Sequence, residues 1–167
     1  MMERSKKDLK LLFVNACLRP GGYTKFLPVG LASVMTYFKT KGYDFTLLDI
    51  DINEYDDAYV ENYIKTNKFD FVLCGTIVTH YKWIKWFVNM VKKHQPNTCI
   101  ITGNSVAGSI PEVFLNLFLT TNTPKLNLFI VFRAFPNNIF SLINGTFFSL
   151  IIKSSTVLSF APKLPLG

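Results

Sequence analysis

The chain has 167 residues, 49% of them hydrophobic and 17% charged, with a formal net charge of +7. That length holds one domain with a real core and is short for two, and the composition excludes a chain disordered throughout. All eleven acidic residues fall between Glu3 and Glu112, beside fourteen of the eighteen Lys and Arg. The charges of that stretch are therefore mixed, not gathered into a phosphate-tracking stripe, and nucleic acid is not an expected partner. Cys17, Cys74 and Cys99 are odd in number and widely spaced, with no CxxC or CxxxCxxC run, which predicts reduced thiols and no zinc or iron–sulfur site. The start, MMERSKKDLK, lacks the apolar segment of a secretory signal, so a cytoplasmic location is expected.

Residues 9–16 (LKLLFVNA) read as a buried first strand, ended by Pro20, Gly21 and Gly22. Over 28–40, Leu31, Val34, Met35 and Phe38 recur at i, i+3, i+4, i+7, the spacing of an amphipathic helix with Pro28 suited to its first turn and Gly42 to its stop. Residues 43–50 form a second strand with Asp49 and Asp51 at its carboxyl end, and 53–68 a rather polar helix carrying Tyr55, Tyr59, Tyr63 and Ile64. The continuous apolar run 69–78 is a third strand, buried on both faces. Residues 81–94 place Ile84, Phe87, Val88 and Val91 on one helical face and lysines on the other. A fourth strand spans 98–102, a small-residue loop 103–108, and a further helix 111–119.

Strand and helix in alternation predict an α/β domain over residues 1–119. Its sheet is parallel, with helices on both faces and the first strand central, in the Rossmann-like or flavodoxin-like manner. Ligands of such sheets bind at the carboxyl ends of the strands, which directs attention to the loops 17–27, 49–53, 75–81 and 103–108. Residues 120–167 follow a different grammar, rich in Phe, Leu, Ile, Asn, Ser and Thr and without one acid. Arg133 and Pro136-Asn137-Asn138 interrupt them, so no window has the about 20 apolar residues of a membrane span. The segment reads as a lost reading frame or truncation, with an edge hairpin or membrane-surface segment as the alternative.

Three runs carry a resemblance: Pro28-Val29-Gly30-Leu31 with Lys41-Gly42-Tyr43 and Leu47-Leu48-Asp49; Asp70-Phe71-Val72-Leu73-Cys74-Gly75; and Lys92-Lys93-His94-Gln95-Pro96 followed by residues 98–103. In this order and spacing they resemble the cobalamin-binding domain that precedes many radical-SAM catalytic domains, over about the first 112 residues. The resemblance implies cobalamin as cofactor and, originally, a C-terminal radical-SAM domain as partner. The cluster-binding cysteines are absent, so this chain by itself is expected to catalyse nothing. It implies a site of Leu27, Pro28, Gly30, Gly75, Thr76, Ile77, Thr79, His80, Gly103, Asn104 and Ser105.

The family's functional residues carry over unevenly. Its D-x-H-x-x-G loop, whose His ligates cobalt, falls on residues 18–28, which hold neither Asp nor His, so no protein imidazole on the metal is expected. Its S-x-L falls on Gly75-Thr76-Ile77, where Thr76 or Thr79 would supply the hydroxyl. Of its G-G, only Gly103 stands, at a place where a residue without a Cβ lets the nucleotide tail approach the backbone. From position alone, His80 reads as a solvated or locally hydrogen-bonded loop histidine and His94 as a helix-end residue. Trp83 and Trp86 read as packing residues. Asp49 and Asp51 could bind ribose hydroxyls, yet no G-x-G-x-x-G follows the first strand, which disfavours a nicotinamide cofactor. The alternative is an unrelated flavodoxin-like domain that binds a nucleotide or a protein partner.

Overall fold

Strand β1, Leu11–Asn15, is buried at all five residues, the condition of a strand covered on both faces. In the computed structural model of the chain, which describes residues 8–103, it pairs in parallel with β2 (Phe45–Asp49) on one side and β3 (Phe71–Gly75) on the other. Strand β4 (Cys99–Gly103) extends the sheet beyond β3, giving the order β2-β1-β3-β4 with every neighbour parallel. The predicted helix 111–119, the tail 120–167 and the site residues Asn104 and Ser105 lie outside the described residues.

Alternation along each strand divides the core in two. Leu11, Phe13, Phe71, Leu73 and Ile101 face α1 (Val29–Thr40), which lays Leu31, Val34, Met35 and Phe38 against them. These are the four positions its periodicity names. Leu12, Val14, Val72, Cys74 and Ile100 face the other way, towards α3 (Asp57–Thr66) and α4 (Tyr81–His94). Helices therefore cover both faces, as the strand–helix alternation predicts. Phe13 is wholly buried and meets Phe38 and Phe45 edge-on at 5.5 and 5.0 Å. Truncating such a residue to Ala costs roughly 3–5 kcal/mol.

The element ends follow local chemistry. Pro28 stands just before α1 rather than inside its first turn, accepting the first helical bond from Ala32 N at 3.0 Å. At the other end Gly42 takes φ 81°, and the bonds Gly42 N to Lys39 O and Tyr43 N to Phe38 O close the helix. The helix expected over 53–68 begins later, at Asp57, and ends at Thr66, and a separate short helix takes the end of the expected second strand and the turn after it. Asp49 caps a short helix α2 (Ile50–Asn53), Glu54 turns left-handed at φ 53°, and Asp56 then caps α3 through Tyr59 N at 2.7 Å. The expected third strand, 69–78, stops at Gly75, and Val78–His80 form one 3-10 turn leading into α4.

Helix α4 has the expected bounds, with Ile84, Phe87, Val88 and Val91 fully buried. Its lysines do not all face solvent: Lys92 is buried, and that burial pushes its ammonium down to about 8. Nor is His94 simply a helix-end residue, because its Nε2 meets Glu61 Oε1 of α3 at 2.7 Å, with Lys93 on the same oxygen at 3.2 Å. No described helix is long and apolar enough to cross a membrane.

Candidate functional site

With the order β2-β1-β3-β4, the chain leaves β1 towards one edge of the sheet and later returns to its other side. The crevice between β1 and β3 at the carboxyl ends is thus the topological switch point. Over β1 and β2 the chain's own loop closes it. Asn15, buried on β1, donates from Nδ2 to Asp49 Oδ1 at 2.9 Å and to Phe26 O at 3.2 Å. Phe26 N in turn donates to the Asp51 carboxylate at 3.2 Å. Lys25 and Glu54 add an ion pair of 2.7 Å. Residues 17–27 are thereby fastened to the turn after β2. Asp49 and Asp51 serve this fastening and the cap of α2, which accounts for both carboxylates without a ribose. Burial, then the neighbouring Asp51, raises the Cys17 thiol at the foot of the loop.

Over β3 and β4 the edge is built differently. Gly75 and Gly103 are register partners on adjacent strands, so neither puts a side chain at the rim. A Cβ added at Gly103 would meet nothing within 4 Å, and the same holds at Gly30. Behind them the Thr76 and Thr102 hydroxyls are buried without a hydrogen-bond partner among the described residues. Thr76 is only 2% exposed, so its hydroxyl is not presented at the surface; Thr79 is exposed.

His80 departs from its expectation. It is half-buried, and its Nδ1 is enclosed and has no partner among the described residues. Its ring lies parallel to Trp83 at 5.7 Å, and Trp83 stacks on Phe87 at 5.1 Å, a column running from the rim into the core. Desolvation lowers the pKa of His80, favouring the neutral imidazole.

The rim itself is apolar. Tyr23, Phe26 and Val29 after β1, Ile52 after β2 and Ile77 after β3 are all exposed large hydrophobic residues; among the described residues Tyr59 alone shares that state away from this edge. Leu27 and Pro28 stand half-buried between them. Of the expected site residues, Leu27, Pro28, Gly30, Gly75, Ile77, Thr79 and Gly103 thus belong to the loops and strand ends of one edge. Thr76 and His80 lie behind it. The exposed apolar ring went unread in the sequence, although Tyr23, Phe26 and Ile52 stand in loops where an aromatic or β-branched residue has no packing reason to be.

Among the described residues no group of three His, Cys, Asp or Glu side chains could hold a metal ion. None of the three cysteines forms a disulfide, and burial pushes Cys74 and Cys99 up to about 12, a level at which neither acts as a thiolate near neutrality. In comparisons with protein-family models, curated proteins and solved structures, nothing matched this chain.

Proposed function

We propose that this α/β domain is a corrinoid-binding module, taking cobalamin across the carboxyl ends of its strands in a protein whose catalysis belongs to another domain. The observation that carries the reading is the exposed apolar ring of Tyr23, Phe26, Val29, Ile52 and Ile77 around a sheet edge that Gly75 and Gly103 leave bare. The broad apolar face of a corrin macrocycle matches such a ring, whereas a nucleotide phosphate would call for a glycine-rich turn after β1, and the loop there is tied down by Asn15 and Asp51. The resemblance of the ordered motifs supports the same ligand.

The residues fit the ligand's body better than its metal. Leu27, Pro28, Ile77 and Thr79 border the opening, and Gly30 and Gly103 add no side chain to it. The Nδ1 of His80 is enclosed and its ring is stacked on Trp83, and the loop 18–28 has no histidine, so cobalt would be held without a protein histidine. When bound, cobalamin supplies organometallic chemistry; this chain's residues hold and shield it.

Titration of the full chain with hydroxocobalamin, followed by absorbance, tests the reading. Saturable binding with a spectrum unchanged by His80→Ala is expected. The absence of saturable binding removes the proposal, and a spectral change abolished by His80→Ala removes the histidine-free site.

A further inference from the structure

Strand β2 ends the sheet, and its outer row of backbone groups has no strand partner among the described residues. Edge strands are ordinarily blunted by a lysine, a proline, a bulge or an inward charge. In β2 the one charge is Asp49 at the carboxyl end, bonded to Asn15; Phe45, Thr46, Leu47 and Leu48 include none of these. Beside the edge, α1 is poorly covered: of its twelve residues only Phe38 is buried, and Val29 is 82% exposed. An open groove of about 510 Å³ runs between α1 and β2, lined by Ala32, Met35, Thr36 and Phe45.

The charges around this edge are sorted by end. At the amino end of β2 stand the exposed Lys39 and Lys41, offset in part by Asp44, which pairs with Lys39 at 2.8 Å. At the carboxyl end stand the exposed Glu54, Asp56 and Asp57, offset in part by Lys25. One end is thus net basic and the other net acidic. A strand laid antiparallel on β2 with the same sequence brings each basic end to the partner's acidic end. Parallel pairing would oppose like charges.

We propose that β2 is a homodimer edge. Two copies pair β2 antiparallel about a two-fold axis perpendicular to the sheet, forming one continuous eight-stranded sheet. The axis keeps both α1 helices on the same face, so their two apolar grooves meet and close over each other. It also leaves β3 and β4, with Gly75 and Gly103, at the outer flanks, while the groove reaches Leu27 at the carboxyl edge.

Sedimentation equilibrium of the full chain tests this. The expected species has twice the monomer mass of 19.0 kDa, with dissociation promoted by salt. Thr46 is exposed, so Thr46→Lys leaves the thermal melt of the monomer unchanged while placing like charges beside the axis; it is expected to weaken the dimer at least tenfold. Lys39→Glu with Lys41→Glu likewise gives a monomer, as does Glu54→Lys with Asp57→Lys, and mixing the two double variants restores a dimer. A wild-type chain that stays at 19.0 kDa at every concentration overturns the proposal, as does a dimer indifferent to Thr46→Lys or double variants that do not pair on mixing.

Discussion

Asn15 and Asp49 are register partners on β1 and β2, and the Asn15 amide bonds the Asp49 carboxylate at 2.9 Å where the two strands end. The same amide holds Phe26 O, so one buried side chain joins the sheet to the loop that closes over it. Replacing it with Leu keeps the volume and removes both bonds. Asn15→Leu is expected to cost about 1–3 kcal/mol, since the groups it abandons are partly buried. Urea denaturation measures that loss, and limited proteolysis within residues 17–27 should quicken more than the stability change alone explains.

Gln95 has a comparable place at the opposite end of the sheet. Buried just after α4, it accepts from Phe69 N at 2.9 Å and Thr98 Oγ1 at 3.1 Å. It donates to Ile64 O at 2.6 Å and Asn67 O at 2.8 Å. Each buried group left unpaired costs about 1–3 kcal/mol, so Gln95→Leu should be among the most destabilising single changes outside the apolar core. Gln95→Glu should be worse as pH rises through the carboxylate range, because a carboxylate would then face two carbonyl oxygens. Denaturation of both variants at acidic and neutral pH separates the two effects.

Glu61 ties α3 to α4 by accepting from His94 and Lys93, and those bonds, His94 first, hold its carboxyl below the ordinary value of 4.5. A carboxylate with a depressed folded pKa contributes stability that is fully present above 4.5 and is lost as pH falls through the lower folded value. Glu61→Gln should therefore lower the neutral melt, slightly because Glu61 is partly exposed, and leave the acid melt unchanged, so that the acid limb of the stability profile flattens.

Lys92 works in the opposite sense. Burial lowers its ammonium from 10.5 to about 8, so between those values the unfolded chain holds a proton that the folded one has released. Stability should rise with pH across that window and be level below it. Lys92→Met, which keeps the stem and drops the charge, should abolish the rise, and paired melts between pH 7 and pH 11 decide it.

These side chains also mark where the sequence was legible. The period-2 and period-3.6 patterns carried the order of four strands and the bounds of α4, because burial of Leu11–Asn15 or of Ile84, Phe87, Val88 and Val91 is written in residue type. Polar residues were harder. Nothing local distinguishes Gln95 from a solvated glutamine, Asn15 from a turn former or Lys92 from its exposed neighbours, since their partners lie elsewhere in the chain. The late start of the helix expected over 53–68 turned on Glu54, a residue type that gives no sequence signal for a left-handed turn. The strand order by itself puts loops 17–27, 49–53 and 75–81 at the carboxyl edge, while the closure of residues 17–27 and the enclosure of His80 Nδ1 depended on contacts across strands.

Gly103 separates fold from ligand most cleanly. It ends β4 opposite Gly75, its φ is outside the left-handed region, and an added Cβ meets nothing within 4 Å. Valine at that position is therefore compatible with the strand, and β-branched residues suit extended backbone better than glycine does. Gly103→Val should melt at or slightly above the wild-type temperature. Its side chain would nonetheless stand in the space beside the exposed ring of Ile77 and its neighbours, where the proposed corrinoid must pass. Hydroxocobalamin affinity should fall at least tenfold, about 1.4 kcal/mol, with the melt intact. Undiminished affinity in Gly103→Val would move the ligand away from the β3–β4 edge. A lowered melting temperature would show instead that the opening beside Gly103 is already filled by the protein.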